Sequence, residues 1–300
     1  MSKRPKSKSK ARPRSKPKSK SAVVSRPKSA ARSKVRSKPR AKARLAPAVA
    51  PDTGSPAIDT IVGIAARSAL ARFRWNDRSV APAGYVKGMA VVFARVLCKL
   101  MDGDPAAIEM AKANSGNAHR DALAFYDNIF RAAGMSNEVS GPDTLRHLFV
   151  LLIGLGMRES SGRYCEGRDR SASNTTAETA EAGLFQTSFN ARTASPLLPA
   201  LFAQFSRRPA GFKEIFREGV RCKAADLANF GSGPGRDFQR LSKESPGFAA
   251  EFAGVALRNI RTHYGPINRK KAQVVQESED LLLEVQNLVE ASPDICPAVL

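Results

Sequence analysis

Positive charge is concentrated at one end of this 300-residue chain. Residues 1–50 hold 19 of the 49 Lys and Arg and none of the 27 Asp and Glu, so residues 51–300 carry 30 basic and 27 acidic residues. Residues 1–50 also lack aromatic side chains. A segment with so little apolar surface cannot offset about 1–2 kcal/mol of backbone ordering entropy per residue. We therefore expect a disordered polybasic tail over 1–50 and one folded domain over 51–300.

The expected partners of this tail are polyanions. A flexible polycation binds anionic envelope polymers and non-specific nucleic acid through counterion release. An arm that only solubilises the chain is the alternative. Because no aromatic residue is interleaved with the Lys and Arg residues, we do not expect sequence-specific nucleic-acid recognition.

Long apolar segments are missing from the sequence. A secretory signal needs about 7–15 consecutive apolar residues, and residues 1–50 contain no such stretch. The longest apolar run, 148–157, includes two glycines and is about half the length of a transmembrane helix. We expect no transmembrane segment and, as encoded, a cytoplasmic protein, with export by another route left open.

Helical periodicity dominates residues 51–300. The apolar pattern indicates a first helix that begins at Pro56. The segment from Pro142 is apolar on nearly every side, which predicts a central, buried helix with Glu159 just past its end. The remaining helices are predicted over 85–101, 120–133, 196–205, 209–217, 248–263 and 266–290.

Two segments lack this periodicity. Residues 160–179 are polar and predict a loop or a small irregular β-hairpin, and the Gly-Ser-Gly-Pro-Gly run at 231–235 predicts a loop. The expected fold is mainly helical. It has a helical N-terminal part (55–141), a core that carries the chemistry (142–266) and a C-terminal amphipathic helix (266–290).

Glu159 is the residue most suggestive of catalysis. A carboxyl at the end of an apolar helix is partly desolvated, which raises its pKa, and the negative end of the helix dipole also disfavours its charge. A carboxylic acid that keeps its proton near neutral pH suits general-acid cleavage of a glycosidic bond. An ordinary solvated carboxylate at a helix end is the alternative interpretation.

Several short motifs resemble one family. Glu-Ser at 159–160 followed by Gly-Leu-Phe-Gln at 183–186 resembles the Glu-Ser and Gly-Leu-Met-Gln signatures of soluble lytic transglycosylases and goose-type lysozymes. The Ala-Asn-Phe-Gly-Ser-Gly segment at 228–233 is similar to the Ala-Tyr-Asn-Ala-Gly element of that family, and Tyr264 stands where a late helix often carries a tyrosine. The resemblance covers roughly residues 145–266 and implies an α+β lysozyme-like fold.

The same resemblance implies roles for individual residues. Glu159 would be the catalytic acid, and Tyr264 would support it by a hydrogen bond. The other expected substrate-binding residues offer amide or hydroxyl groups to a sugar: Ser160, Gln186, Thr187 and Asn229. Gln186 taken on its own fits an ordinary loop amide better, and it gains weight only beside Glu159.

The mechanism depends on a second carboxylate. An inverting hydrolase needs one about 6.5–9.5 Å from the acid, whereas by resemblance a lytic transglycosylase uses one Glu as acid and then as base. The candidates are Asp169, Glu178, Glu181 and Asp226, although Glu178 and Glu181 also fit plain surface charges. Both mechanisms therefore stay open, and the expected substrate is peptidoglycan or a related amino-sugar polymer.

The sequence predicts neither a metal nor another cofactor. Its three histidines, His119, His147 and His263, lie far apart, and neither a His-Glu-x-x-His nor a Cys-x-x-Cys motif occurs. The four cysteines permit three pairings, and their disulfide state stays open, although a bridge between Cys165 and Cys222 is compatible with an oxidising compartment.

The rival function is a lysozyme-like protein that binds glycan or polyanion without cleaving it. Such a protein would share the fold and the basic tail. Glu159 separates the two hypotheses, because cleavage requires this carboxyl and binding to the tail does not.

Overall fold

The computed structural model describes residues 55–170, 174–208 and 211–300. They belong to one compact unit, Val49–Leu300. The tail predicted over 1–50 lies outside the described residues. The α-helices of the described part are α1 (Pro56–Arg67), α2 (Ala83–Met101), α3 (Pro105–Ala111), α4 (Ala122–Phe125), α5 (Asp127–Ala132), α6 (Pro142–Ser160), α7 (Leu197–Arg207), α8 (Lys213–Phe216), α9 (Ala224–Leu227), α10 (Gly233–Glu244), α11 (Pro246–Asn259), α12 (Gly265–Asn268), α13 (Gln276–Ala291) and α14 (Cys296–Val299).

The prediction of a mainly helical fold is confirmed. Short 3₁₀ turns lie at Ala69–Arg72, Phe189–Ala194, Arg261–His263 and Pro293–Ile295. Within the described residues, β structure is limited to two isolated bridges, Arg74 with Val80 and Ala182 with Thr187. None of the described helices combines the length and apolar character that a membrane crossing requires.

Helices α2 and α6 occupy the centre of the core. Most of α2 is buried on every side, and the all-round apolar character of α6 buries it as predicted. The Tyr85 hydroxyl of α2 donates a 2.8 Å hydrogen bond to the Ile153 carbonyl oxygen of α6. Gly156 permits this approach, since a Cβ there would collide with the Tyr85 hydroxyl. The packing fixes the helix that carries Glu159.

Two expected helices are broken in the structure. The helix predicted over 120–133 is the pair α4 and α5, and the one predicted over 266–290 is the pair α12 and α13. The second break occurs because Lys270 adopts a left-handed φ of 49°, while the Lys271 N–H donates back to the Pro266 carbonyl oxygen. The spacing of apolar side chains does not reveal such a backbone turn.

Other elements differ in extent. Only Lys213–Phe216 of the helix predicted over 209–217 is helical in the described residues. The sequence patterns did not indicate α3 or α10. The Gly-Ser-Gly-Pro-Gly run predicted as a loop contains the first turn of α10, and Phe238 and Leu241 anchor that helix in the core.

Two disulfides close the fold. Cys98 in α2 is bonded to Cys296 in α14, across 198 residues of chain. Cys165 is bonded to Cys222, which joins the segment after α6 to the segment before α9, 57 residues away in sequence. The pairing that the sequence left open is therefore settled, and it includes the Cys165–Cys222 bridge.

Candidate functional site

Glu159 lies in the last turn of α6, not just past its end as the sequence suggested. The helix continues through Ser160 and ends there, because Ser161 takes a left-handed conformation with a φ of 55°. The Ser161 N–H donates to the Met157 carbonyl oxygen at 3.1 Å, and the Gly162 N–H donates to that of Gly156 at 3.2 Å. This closure is a common helix C-cap, and it fixes the backbone around the half-buried Glu159.

A polar cleft of about 410 Å³ adjoins this turn. It brings together four residues that the sequence singled out and four that it did not. Its lining consists of Glu159, Asp169, Glu181 and Gln186 together with Glu166, Gly167, Arg168 and Arg170.

Gln186 reaches the cleft from a tight turn. The bridge between Ala182 and Thr187 closes this turn, and Gln186 has a left-handed φ of 45°. Its Nε2 donates to the Gly183 carbonyl oxygen at 3.1 Å, while the Gly183 N–H donates to the Glu166 carbonyl oxygen at 2.9 Å. The turn is therefore hydrogen-bonded directly to the loop on the other side of the cleft. A strained backbone at a non-glycine residue is typical of functional sites.

The pKa values of Glu159 and Glu181 are both raised in the cleft. Burial raises the pKa of Glu159 to about 8, and the negative charge of Glu181 adds to this effect against the opposing charges of Arg269, Arg158 and Arg78. Burial also raises the pKa of Glu181, with a further contribution from the charge of Asp169. Like charges that share a partly desolvated site disfavour each other's ionisation.

Thr187 and Tyr264 lie behind the cleft. Both are buried, and their hydroxyl oxygens are 3.3 Å apart. Burial raises the pKa of Tyr264 well above its ordinary value, and the nearby charges of Glu159 and Glu181 contribute. Tyr264 therefore lies within electrostatic reach of the catalytic candidate, and its described hydrogen bond is to Thr187.

Ser160 and Glu178 are not brought into the cleft. Ser160 is buried, and its hydroxyl donates to the Gly156 carbonyl oxygen within α6 at 3.0 Å. Glu178 forms an ion pair with Arg192 at 3.1 Å and lines neither this cleft nor its neighbour. The hydroxyl predicted to bind sugar thus satisfies the helix, and the Glu178 carboxylate is placed as a surface charge.

Asn229 and Asp226 line a second cavity of about 290 Å³, which shares its residues 166–168 and Arg170 with the cleft. Asp226 is 3.2 Å from the Arg163 guanidinium. The Asn229 Oδ1 atom is buried and has no hydrogen-bond partner within the described residues. The two cavities are therefore neighbours along one loop, and Asn229 belongs to the second.

Of this shared loop, the sequence singled out Asp169 but not Glu166, Gly167, Arg168 or Arg170. Glu166 forms an ion pair with Arg163, and burial is the main cause that raises its pKa. The Arg168 guanidinium stacks 3.8 Å from the centre of the Phe230 ring. The only available signal was the neighbouring Cys165, whose bridge to Cys222 holds this loop beside the segment that leads into α9.

No family model, curated protein or solved structure matches the chain. Among the described residues, no group of three or more His, Cys, Asp or Glu side chains converges as a metal site requires. The chemistry that the described residues offer is that of carboxyl, amide and guanidinium groups around one protonated acid.

Proposed function

We propose that this protein cleaves β-1,4-glycosidic bonds in peptidoglycan or a related amino-sugar polymer, with Glu159 as the general acid. The observation that carries the proposal is the state of this carboxyl. It is half-buried at the end of an apolar helix, it lines a polar cleft, and its pKa is raised to about 8. The resemblance of its motifs to lytic transglycosylases and goose-type lysozymes supports the same assignment.

A raised pKa is what this chemistry needs. At neutral pH the Glu159 carboxyl still holds its proton and can transfer it to the leaving oxygen as charge develops at the anomeric carbon. Lysozyme uses the same principle: two carboxyls in unlike environments have different pKa values, and the one with the raised pKa acts as the acid. In this protein burial is the main cause of the raised pKa of Glu159, and the negative charge of Glu181 raises it further.

The lining of the cleft suits a hydroxylated, N-acylated polymer. The Gln186 side-chain nitrogen donates a hydrogen bond to the Gly183 carbonyl oxygen. The side-chain carbonyl oxygen is therefore the atom that Gln186 offers to a sugar hydroxyl. The second cavity continues along the same loop, so the two together offer room for more than one sugar. This extended shape favours a chain substrate over a monosaccharide.

Two of the four possible second carboxylates remain after this placement. Glu181 and Asp169 share the cleft with Glu159. Glu178 lies elsewhere, and Asp226 is paired with Arg163 in the second cavity. In a hydrolase, Glu181 or Asp169 would activate the water; in a lytic transglycosylase, Glu159 would act twice and the sugar's own hydroxyl would close on the anomeric carbon.

The test is the release of soluble fragments from purified, dye-labelled peptidoglycan by the full-length protein. We expect Glu159→Gln to abolish release, because the amide keeps the shape but has no acidic proton to transfer to the leaving oxygen. Glu178→Gln is the matched control and should release fragments at the wild-type rate. Equal release by Glu159→Gln and wild type would overturn the assignment. Binding to peptidoglycan without any release by the wild type would favour the non-cleaving alternative.

A further inference from the structure

A short turn packs against the end of the helix that carries Glu159. The bridge between Arg74 and Val80 closes this turn. The Arg78 N–H donates to the Trp75 carbonyl oxygen at 3.1 Å, and the Asn76 N–H donates to Gln273 Oε1 at 2.8 Å. Trp75, only 3% exposed, anchors the turn in the core. The turn is therefore attached to the body of the protein and is positioned relative to α6.

Asp77 in this turn has a left-handed φ of 56°. Few non-glycine residues adopt this conformation, and it persists where surrounding contacts impose it. The Asp77 carboxylate is 3.3 Å from the Arg158 guanidinium, and its carbonyl oxygen accepts a 3.0 Å hydrogen bond from Arg78. The strained residue thus contacts the residue that precedes Glu159 in α6 and orients Arg78.

Arg78 donates hydrogen bonds to two backbone carbonyl groups near the end of α6. Its Nε donates to the Met157 carbonyl oxygen at 3.3 Å, and its Nη2 donates to the Arg158 carbonyl oxygen at 3.0 Å. The Arg158 carbonyl is one of the last of α6, which lack partners within the helix, whereas the Met157 carbonyl oxygen also accepts from the Ser161 N–H. A guanidinium suits this task, since its planar fork can hold two acceptors at once.

We propose that Arg78 is a positioning residue for Glu159, which holds the two carbonyl groups before it and so fixes the direction in which its carboxyl enters the cleft. The inference rests on the proposed function, because a fixed direction matters when the carboxyl must reach a leaving oxygen. Arg78 itself is absent from the lining of the cleft. It acts through the helix end, without touching the substrate.

The charge of Arg78 has a second effect on the same carboxyl. The charged and titratable groups that act on Glu159 are Glu181, Arg269, Arg158 and Arg78, with Tyr264 close by. The three arginines lower the pKa of Glu159 against the effects of burial and Glu181. Loss of the Arg78 charge must therefore raise the pKa of Glu159 further, and a lysine at this position would preserve most of the charge without the two-carbonyl fork.

The experiment compares Arg78→Met, Arg78→Lys and the control Arg74→Met in the full-length protein. Arg74 lies in the same turn, is exposed, and is not among the charges that act on Glu159. The readouts are the pH profile of kcat/KM on labelled peptidoglycan and the titration of the Glu159 carboxyl, followed by NMR with ¹³C-labelled glutamate and assigned by the Glu159→Gln spectrum.

We expect Arg78→Met to lower kcat about tenfold to a hundredfold, the scale of a misplacement near 1 Å, and to move the alkaline limb and the Glu159 titration to higher pH. Arg78→Lys should lower kcat and leave the titration near that of wild type. Arg74→Met should match wild type in both. An unchanged kcat in Arg78→Met, or a lower kcat with an unmoved titration, would overturn the inference.

The NMR readout keeps this inference separate from the proposed function. If the wild type cleaves nothing while the Glu159 titration still moves upward in Arg78→Met, the glycan-cleavage proposal fails and the effect of the Arg78 charge on Glu159 stands. If the wild type cleaves and neither readout responds to Arg78, the positioning role fails and the cleavage proposal stands.

Discussion

Glu159 and Glu181 line one cleft, and the negative charge of Glu181 adds to burial in raising the pKa of Glu159 to about 8. The charge of Asp169 acts in turn on Glu181. The three carboxyls thus form an electrostatically linked series in which each ionisation opposes the next. Glu159 lies in the last turn of the apolar helix α6, and with a pKa of about 8 it keeps its proton at neutral pH.

Replacement of Glu181 by glutamine should lower the pKa of Glu159. A nearby negative charge is removed, so the ionised form of Glu159 becomes less unfavourable. Because the protonated form is the active general acid, the alkaline limb of the kcat/KM profile should move to lower pH. Rates measured between about pH 5 and 10 on labelled peptidoglycan test this. Glu178→Gln is the control, and an alkaline limb that stays in place in Glu181→Gln would contradict the linkage.

Glu159 should destabilise the folded protein as pH rises. Its folded pKa of about 8 lies above the ordinary 4.5, so between these values the unfolded chain binds fewer protons and stability falls with increasing pH. Glu159→Gln should therefore raise the melting temperature at pH 8 and have little effect at pH 4. A gain of about 1 kcal/mol or more corresponds to roughly 2–4 °C for a domain of this size. Thermal unfolding at both pH values is the measurement, and an equal change at both would contradict the shift.

The two disulfides should have different effects on activity. Replacement of Cys165 and Cys222 by alanine should destabilise the fold by about 2–4 kcal/mol and lower kcat/KM, because the loop that lines both cavities begins at Glu166. Replacement of Cys98 and Cys296 should destabilise it similarly, yet leave kcat/KM per folded molecule unchanged. Unfolding by urea and cleavage rates below the transition test this. Equal loss of kcat/KM in both double variants would show that the Cys165–Cys222 bridge has no specific role at the site.

The polybasic segment should affect polymer binding and not the chemistry. Removal of residues 1–48 leaves the compact unit Val49–Leu300 intact and removes most of the net positive charge of the chain. The dependence of binding to an anionic polymer on salt should flatten, since fewer counterions are released. Turnover of a soluble oligosaccharide should stay the same, and its loss would show that the segment contributes to the catalytic unit.

The sequence predicted the long helices that have a sustained apolar pattern. Helix α6 is apolar on every side and begins at Pro142, so both its existence and its central position follow from the pattern. Helix α10 was not predicted, because its first turn contains the Gly-Pro-Gly run. Its buried face also has few large side chains, Phe238 and Leu241 among them. The break between α12 and α13 depends on the backbone of one residue, Lys270, which an apolar pattern does not register.

The candidate site was also predicted only in part. Glu159 and Gln186 could be found because local sequence places both beside distinctive apolar or glycine-rich segments. Asp169 was a candidate as well, but the position of its loop, 166–170, could not be predicted, since it depends on a disulfide to Cys222 and on a backbone hydrogen bond from Gly183. Ser160 does not line the cleft, because a serine in the last helical turn readily donates to the carbonyl oxygen four residues earlier.

The most direct measurement is mass spectrometry of the soluble fragments that the full-length protein releases from purified peptidoglycan. We expect glycan fragments with newly formed sugar ends, either anhydro ends from a transglycosylase or reducing ends from a hydrolase, and none of them from Glu159→Gln. Fragments with cut peptide bonds and intact glycan chains, or the same sugar ends from Glu159→Gln, would contradict it.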